Sequence, residues 1–136
     1  MRAILLDTNA YTAFKLGEAA TLAVLSYAEQ LLLNPVVMGE LLGGFAAGSK
    51  EAKNRSELAQ FLQSSRVQLV PVTARTADSY ALVYAGLRRK GKPIPTNDLW
   101  IAASALEHGA ALLTRDAHFM HIDGLRCGTQ LDDFLP

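Results

Sequence analysis

The sequence runs to 136 residues, half of them hydrophobic, with 13 Lys plus Arg balanced by 13 Asp plus Glu and a single cysteine. That length suits one domain over 1–136 with a core that needs no disulfide support, and the apolar content excludes a wholly disordered chain. Neutrality removes any argument for a generally basic nucleic-acid coat while leaving room for a local basic face, and no secretory leader or apolar run of membrane-spanning length is visible, so a cytoplasmic protein with no membrane contact is expected.

Arg2 to Leu6 reads as a continuous apolar strand of the kind buried on both faces of a parallel sheet. Asn9 to Leu16 and Glu18 to Leu31 read as two helical pieces parted at Gly17, the second with a broad apolar side. Leu31 to Leu33 is a short strand. Pro35 opens a helix carrying Met38, Leu41, Leu42 and Phe45, and also Gly39, Gly43 and Gly44. Each of those glycines costs about 1 kcal/mol against Ala in a helix interior. Such a helix needs tertiary support or a reason for close approach. "SKEAKNRSELAQFLQSS" is a polar, amphipathic helix. Val67 to Val72 is a strand interrupted by Pro71, hence near an edge. Thr73 caps a helix running to about Arg89, and Asn97 or Thr96 caps "DLWIAASALEH", which Gly109 closes. Ala110 to Leu113 is the last strand. Strands alternating with helices predict an α/β fold with a parallel sheet.

The acids fall at telling places. Asp7 follows the first strand directly, and Asp116 follows the strand "ALLT" after only Thr114 and Arg115. In open α/β sheets the crevice beyond the carboxyl ends of the strands is where chemistry sits. Asp98 stands in the first turn of a helix, where the dipole favours negative charge, and Glu40 lies near the start of the helix after Pro35. Each acid taken alone has an ordinary reading, as a helix cap, a turn residue or a solvated side chain. Taken jointly, two end apolar strands and a third opens an apolar helix. Were all four to converge, each pair about 6 Å apart would repel by roughly 3 kcal/mol at an effective dielectric near 20. The cluster would then take up protons or bind a cation. An all-oxygen ligand set suits Mg²⁺ or Mn²⁺, and such an ion can activate water and hold a phosphate oxygen.

"LLDTNAY", "PVVMGELLGG", "IPTNDLWIAASAL" and "LLTRDAHF" resemble, in order, the four acidic motifs of the PIN-domain ribonucleases, and the last two resemble the VapC type, the toxin half of bacterial toxin–antitoxin pairs. The resemblance spans Leu5 to Phe119. It implies a three-layer α/β/α sandwich with a central parallel sheet and Mg²⁺- or Mn²⁺-dependent cleavage of RNA. It also implies a homodimer and a small antitoxin partner. Asp7, Glu40, Asp98 and Asp116 match the acidic quartet that is both catalytic and metal-binding. Thr8 and Asn9 match the polar residues after the first acid, and Thr114 the hydroxyl two places before the last.

RNA would need positive charge. Arg88, Arg89, Lys90 and Lys92 precede the Asp98 motif, and Arg115 adjoins Asp116, so these five are the candidate phosphate contacts. The same cations also suit an ordinary helix end. "HFMHID" places His118, His121 and Asp123 together, a poor zinc set without further ligands. Trp100, Tyr80 and Tyr84 read as core, and Cys127 has no support as a nucleophile. Other readings are a housekeeping PIN nuclease in RNA processing, a degenerate domain that only holds metal, and a phosphatase of the haloacid dehalogenase class. The last would want an acid two places after Asp7, where Asn9 stands.

Overall fold

The computed structural model describes residues 2–136. Five strands form one sheet: β1 (Ala3–Leu6), β2 (Gln30–Leu33), β3 (Val67–Leu69), β4 (Ala111–Leu113) and β5 (Cys127–Gly128). The strand order is β3-β2-β1-β4-β5, and every pairing is parallel. Six helices connect them: α1 (Thr8–Lys15), α2 (Ala19–Tyr27), α3 (Pro35–Ala47), α4 (Glu51–Leu62), α5 (Ala74–Lys90) and α6 (Thr96–Glu107). From β1 the chain steps to β2 and β3 in one direction, then recrosses the sheet to β4 and β5. Right-handed crossovers taken in opposite directions put their helices on opposite faces. The expected three-layer α/β/α sandwich results.

β1 is buried at all four positions, because it is the central strand and both its faces are covered. Ile101, Ala102, Ala103 and Ala105 on α6 are fully buried, and the small side chains of the three alanines let that helix lie close to its neighbours. Among the described residues, no helix is long and apolar enough to cross a membrane.

Several boundaries differ from the sequence reading. The helix expected over Glu18 to Leu31 ends at Tyr27. There Ala28 turns extended, and the N–H groups of Glu29 and Gln30 donate to Arg2 O at 2.9 and 3.1 Å, drawing the chain into the sheet. The strand expected over Val67 to Val72 stops at Leu69; Val70 N still donates to Leu33 O at 2.8 Å, and Pro71 has no N–H to continue the ladder. β3 is an edge strand, as Pro71 suggested. α6 begins at Thr96, with Pro95 at the cap position, so neither Thr96 nor Asn97 caps it. Thr73 does cap α5, in a reciprocal pair with Thr76. Gly17 and Gly109 take left-handed φ of 74° and 62°, the conformation that breaks a helix cheaply only at glycine. β5 was not foreseen, because a two-residue strand has no periodicity to detect.

Candidate active site

Both strand-end acids sit on the central pair of strands. Asp7 follows β1, and its N–H donates to Leu113 O at 3.0 Å, so the last rung of the β1–β4 ladder positions it. The residue is 5% exposed. Oδ1 accepts from Thr8 N at 2.8 Å, which caps α1, while Oδ2 accepts from Thr114 Oγ1 at 2.7 Å and from Asn9 Nδ2 at 3.4 Å. Thr114 Oγ1 in turn accepts from Asp116 N at 3.0 Å, and Asn9 Oδ1 accepts from Arg115 N at 3.1 Å. The loops after β1 and β4 are therefore braced to each other, through the residue types the motifs "DTN" and "TRD" supply.

α6 delivers Asp98 at its third residue, with the side chain 15% exposed; Asp116, 30% exposed, caps the short 3-10 helix Ala117–His121 by accepting from His118 N at 3.0 Å. Glu40 comes from α3. Its Oε1 accepts from Thr8 Oγ1 at 2.5 Å and its Oε2 from Asn97 Nδ2 at 3.3 Å, so one side chain links α1, α3 and α6. Asn34 locks α3 in place from below. It is fully buried, accepts from Val37 N at 2.9 Å to cap α3, and donates to Ser104 Oγ at 2.9 Å on α6.

The electrostatics follow from this convergence. Burial pushes the Asp7 carboxyl above its ordinary value, against the lowering effect of the Thr114 and Thr8 hydrogen bonds, and the charges of Glu40 and Asp116 push it the same way as burial. Burial also raises Asp98, followed by the charges of Asp7 and Asp116; a hydrogen bond from His118 opposes them, and Glu40 adds a smaller upward push. Asp7 and Asp98 thus feel each other, Glu40 and Asp116, and a cation held among them would relieve the repulsion. The donor atoms are chiefly carboxylate oxygens, with Thr and Asn groups that orient them, and this set fits a hard divalent ion.

Two residues join the site that the motifs did not single out for it. His118 Nδ1 lies 2.9 Å from Asp116 Oδ1 and 3.6 Å from Asp98 Oδ2. Asn97, expected as a cap, instead orients Glu40. The signal for both was adjacency: each stands within two residues of a motif acid. His121 and Asp123 stay apart from the acids, where the His121 carbonyl and the Asp123 carboxylate accept from Lys90 Nζ at 2.7 and 2.6 Å. Arg88 lies over Tyr84, 5.6 Å from the ring centre, and Arg115 pairs with Glu18. Tyr80 packs against the core and on Trp100, with ring centres 4.3 Å apart, whereas Trp100 is only half-buried and Tyr84, expected in the core, is 43% exposed. Burial pushes the Cys127 thiol up, with Asp133 adding to it, an environment opposite to that of an activated nucleophile.

A doubly covered parallel sheet with Asp7 and Asp116 beyond the ends of its central strands, and with Asp98 of α6 and Glu40 of α3 beside them, defines a recognisable class of α/β protein. Within that class the PIN domain matches residues 4–125, and the chain belongs to the PIN-domain family. It is similar to Ribonuclease VapC1 of Rickettsia felis, with 31% identity over 125 residues, 90% of this chain and 92% of that one. It is 37% identical over 82 residues to Ribonuclease VapC4 of Mycobacterium tuberculosis, covering 60% of this chain and 62% of that relative. Among solved structures, VapBC2 from Rickettsia felis bound to a DNA fragment from its promoter superposes with a TM-score of 0.82 at 26% identity, covering 94% of this chain and 98% of that one.

Proposed function

We propose that the chain works as a single nuclease unit, a divalent-metal-dependent endoribonuclease that hydrolyses RNA phosphodiesters, and that it is the toxin of a toxin–antitoxin pair. The observation that carries this reading is the convergence of Asp7, Glu40, Asp98 and Asp116 at one edge of the sheet, in a member of the PIN family whose relatives include named ribonucleases. In this reading the four acids hold Mg²⁺ or Mn²⁺. The bound ion supplies Lewis acidity to a phosphate oxygen and makes water a better nucleophile.

The chain's own residues do the rest. Thr114 and Thr8 hold Asp7 in a single orientation, and Thr8 and Asn97 do the same for Glu40. Asn9 and Arg115 brace the two loops, which keeps Asp116 in register with Asp7. Arg88, Arg89 and Lys92 are the basic side chains available to RNA phosphates at the carboxyl end of α5. Lys90 and Arg115 reach RNA by exchanging Asp123 and Glu18 for phosphate. A small antitoxin covers the site with a basic side chain, because a ring of carboxylates attracts a guanidinium strongly. Two copies of the chain pair through the helices between Glu18 and Gln63, where Leu22 is exposed and α3 presents Gly39, Gly43 and Gly44.

The test is incubation of purified, antitoxin-free protein with total RNA in Mg²⁺, in Mn²⁺ and in EDTA. Cleavage in both metals and none in EDTA is expected; cleavage that survives EDTA refutes the reading.

A further inference from the structure

His118 stands apart from the other groups of the site because it offers a nitrogen. Asp98, Asp116 and His118 each present a ligand-type atom within 4.8 Å of the other two. The 2.9 and 3.6 Å from Nδ1 to the two carboxylates bracket the spacing of roughly 3.0–3.5 Å between neighbouring ligands on an ion with bonds of about 2.1 Å. A hydrogen bond alone would account for the Asp116 contact. Yet Asp116 Oδ1 already accepts from the backbone N–H of His118 at 3.0 Å, so the ring is not required to hold that carboxylate. The 3-10 helix that carries His118 is pinned by Phe119, which is fully buried, so the ring springs from a rigid base. Its side chain is 54% exposed, and an ion seated between the two carboxylates would displace the proton through which Nδ1 meets them.

We propose that His118 Nδ1 is a nitrogen ligand on the Asp98–Asp116 side of the metal site and sets its choice of ion. This inference rests on the metal-site reading above. Mg²⁺ takes oxygen almost exclusively, whereas affinity for imidazole climbs along Mn²⁺, Co²⁺ and Ni²⁺. His118 therefore tilts an otherwise all-oxygen site away from Mg²⁺ and toward the first-row transition ions.

The experiment titrates Mg²⁺, Mn²⁺ and Co²⁺ into metal-stripped wild type, His118→Ala, His118→Asn and Asp98→Asn by calorimetry, and records pulsed electron paramagnetic resonance of the Mn²⁺ forms. Wild type should show nitrogen hyperfine coupling to Mn²⁺, and both His118 variants should lose it. Both should bind Co²⁺ on the order of tenfold more weakly, with Mg²⁺ affinity changed less than about twofold. His118→Asn is the discriminating variant, since it keeps a hydrogen-bonding group against Asp116 but supplies no ring nitrogen. Mn²⁺ bound without nitrogen coupling, or Mg²⁺ and Co²⁺ weakened equally, overturns the inference and leaves His118 a hydrogen-bond partner. Ion binding that Asp98→Asn does not disturb refutes the metal-site reading itself, and the inference with it.

Discussion

Asp98 shows best how one side chain separates a working cluster from four ordinary surface acids. α6 is capped at Pro95 without a side-chain hydrogen bond, so Asp98→Asn removes a charge and weakens the His118 contact but takes away no cap. Loss of a first-turn charge costs about 0.3–1 kcal/mol in dipole interaction. Relief of repulsion from Asp7, Asp116 and Glu40 outweighs that loss, because each close pair is worth up to roughly 3 kcal/mol before relaxation. In EDTA at neutral pH, Asp98→Asn should therefore melt about 3 °C higher than wild type, a gain of about 1 kcal/mol. The pH dependence follows with a definite sign. The folded value of Asp98 lies above the ordinary 3.8, so its protonation favours the folded chain; the benefit is complete below 3.8 and lost as pH rises through the folded value. The melting gap between mutant and wild type should accordingly narrow on acidification toward 3.8. Differential scanning calorimetry across that range checks it, and a gap that is constant or reversed would place Asp98 outside the cluster.

At the scale of elements, the site depends on α3 being held against α6. Asn34 does this through two hydrogen bonds with both ends buried. Asn34→Ala leaves Ser104 and Val37 N without partners and should cost about 2 kcal/mol. It should also lower activity, because Glu40 travels with α3; chemical denaturation and an RNA-cleavage assay read the two effects. Gly43 makes the opposite case. A methyl added there meets nothing within 4 Å, so Gly43→Ala should stabilise the isolated chain by about 1 kcal/mol. The close approach that the three glycines suggested is not made within the chain, and α3 is left as the surface where a second chain would sit.

These elements also show what could be read in advance. Asp7, Asp98 and Asp116 were legible because each stands at a fixed offset from an apolar run, and a strand that must be buried aims whatever follows it at the sheet edge. The order of four such motifs made the family legible as well. Contacts between distant segments left no local trace: nothing within "VVMGELLGG" announces that Glu40 meets Thr8 and Asn97. His118 was visible only as half of a histidine pair, and the structure splits that pair, sending His118 to the acids and leaving His121 behind. The end of α2 was missed because its apolar run continues into β2, and burial alone cannot tell a helix from a strand.

The whole molecule joins a PIN-family fold to a cluster of carboxylates, two of which are held above their ordinary values by burial and by one another's charge. Two copies are expected to associate, and light scattering at micromolar concentration should return twice the chain mass; a monomer there would count against the paired arrangement. Ion binding is linked to folding by mass action, so Mg²⁺ at about a hundred times its dissociation constant should stabilise wild type by about 2.7 kcal/mol. Asp98→Asn should lose most of that gain. The central claim, that the acids form one metal site which cuts RNA, is tested most directly by a single paired assay. RNA cleavage is followed for wild type and Asp98→Asn in Mg²⁺ or Mn²⁺, with EDTA as the blank, alongside the melting temperature of each sample. The account predicts cleavage and a metal-dependent rise in melting temperature for wild type, and neither for the mutant. A mutant that cuts at the wild-type rate and still melts higher with metal would contradict it.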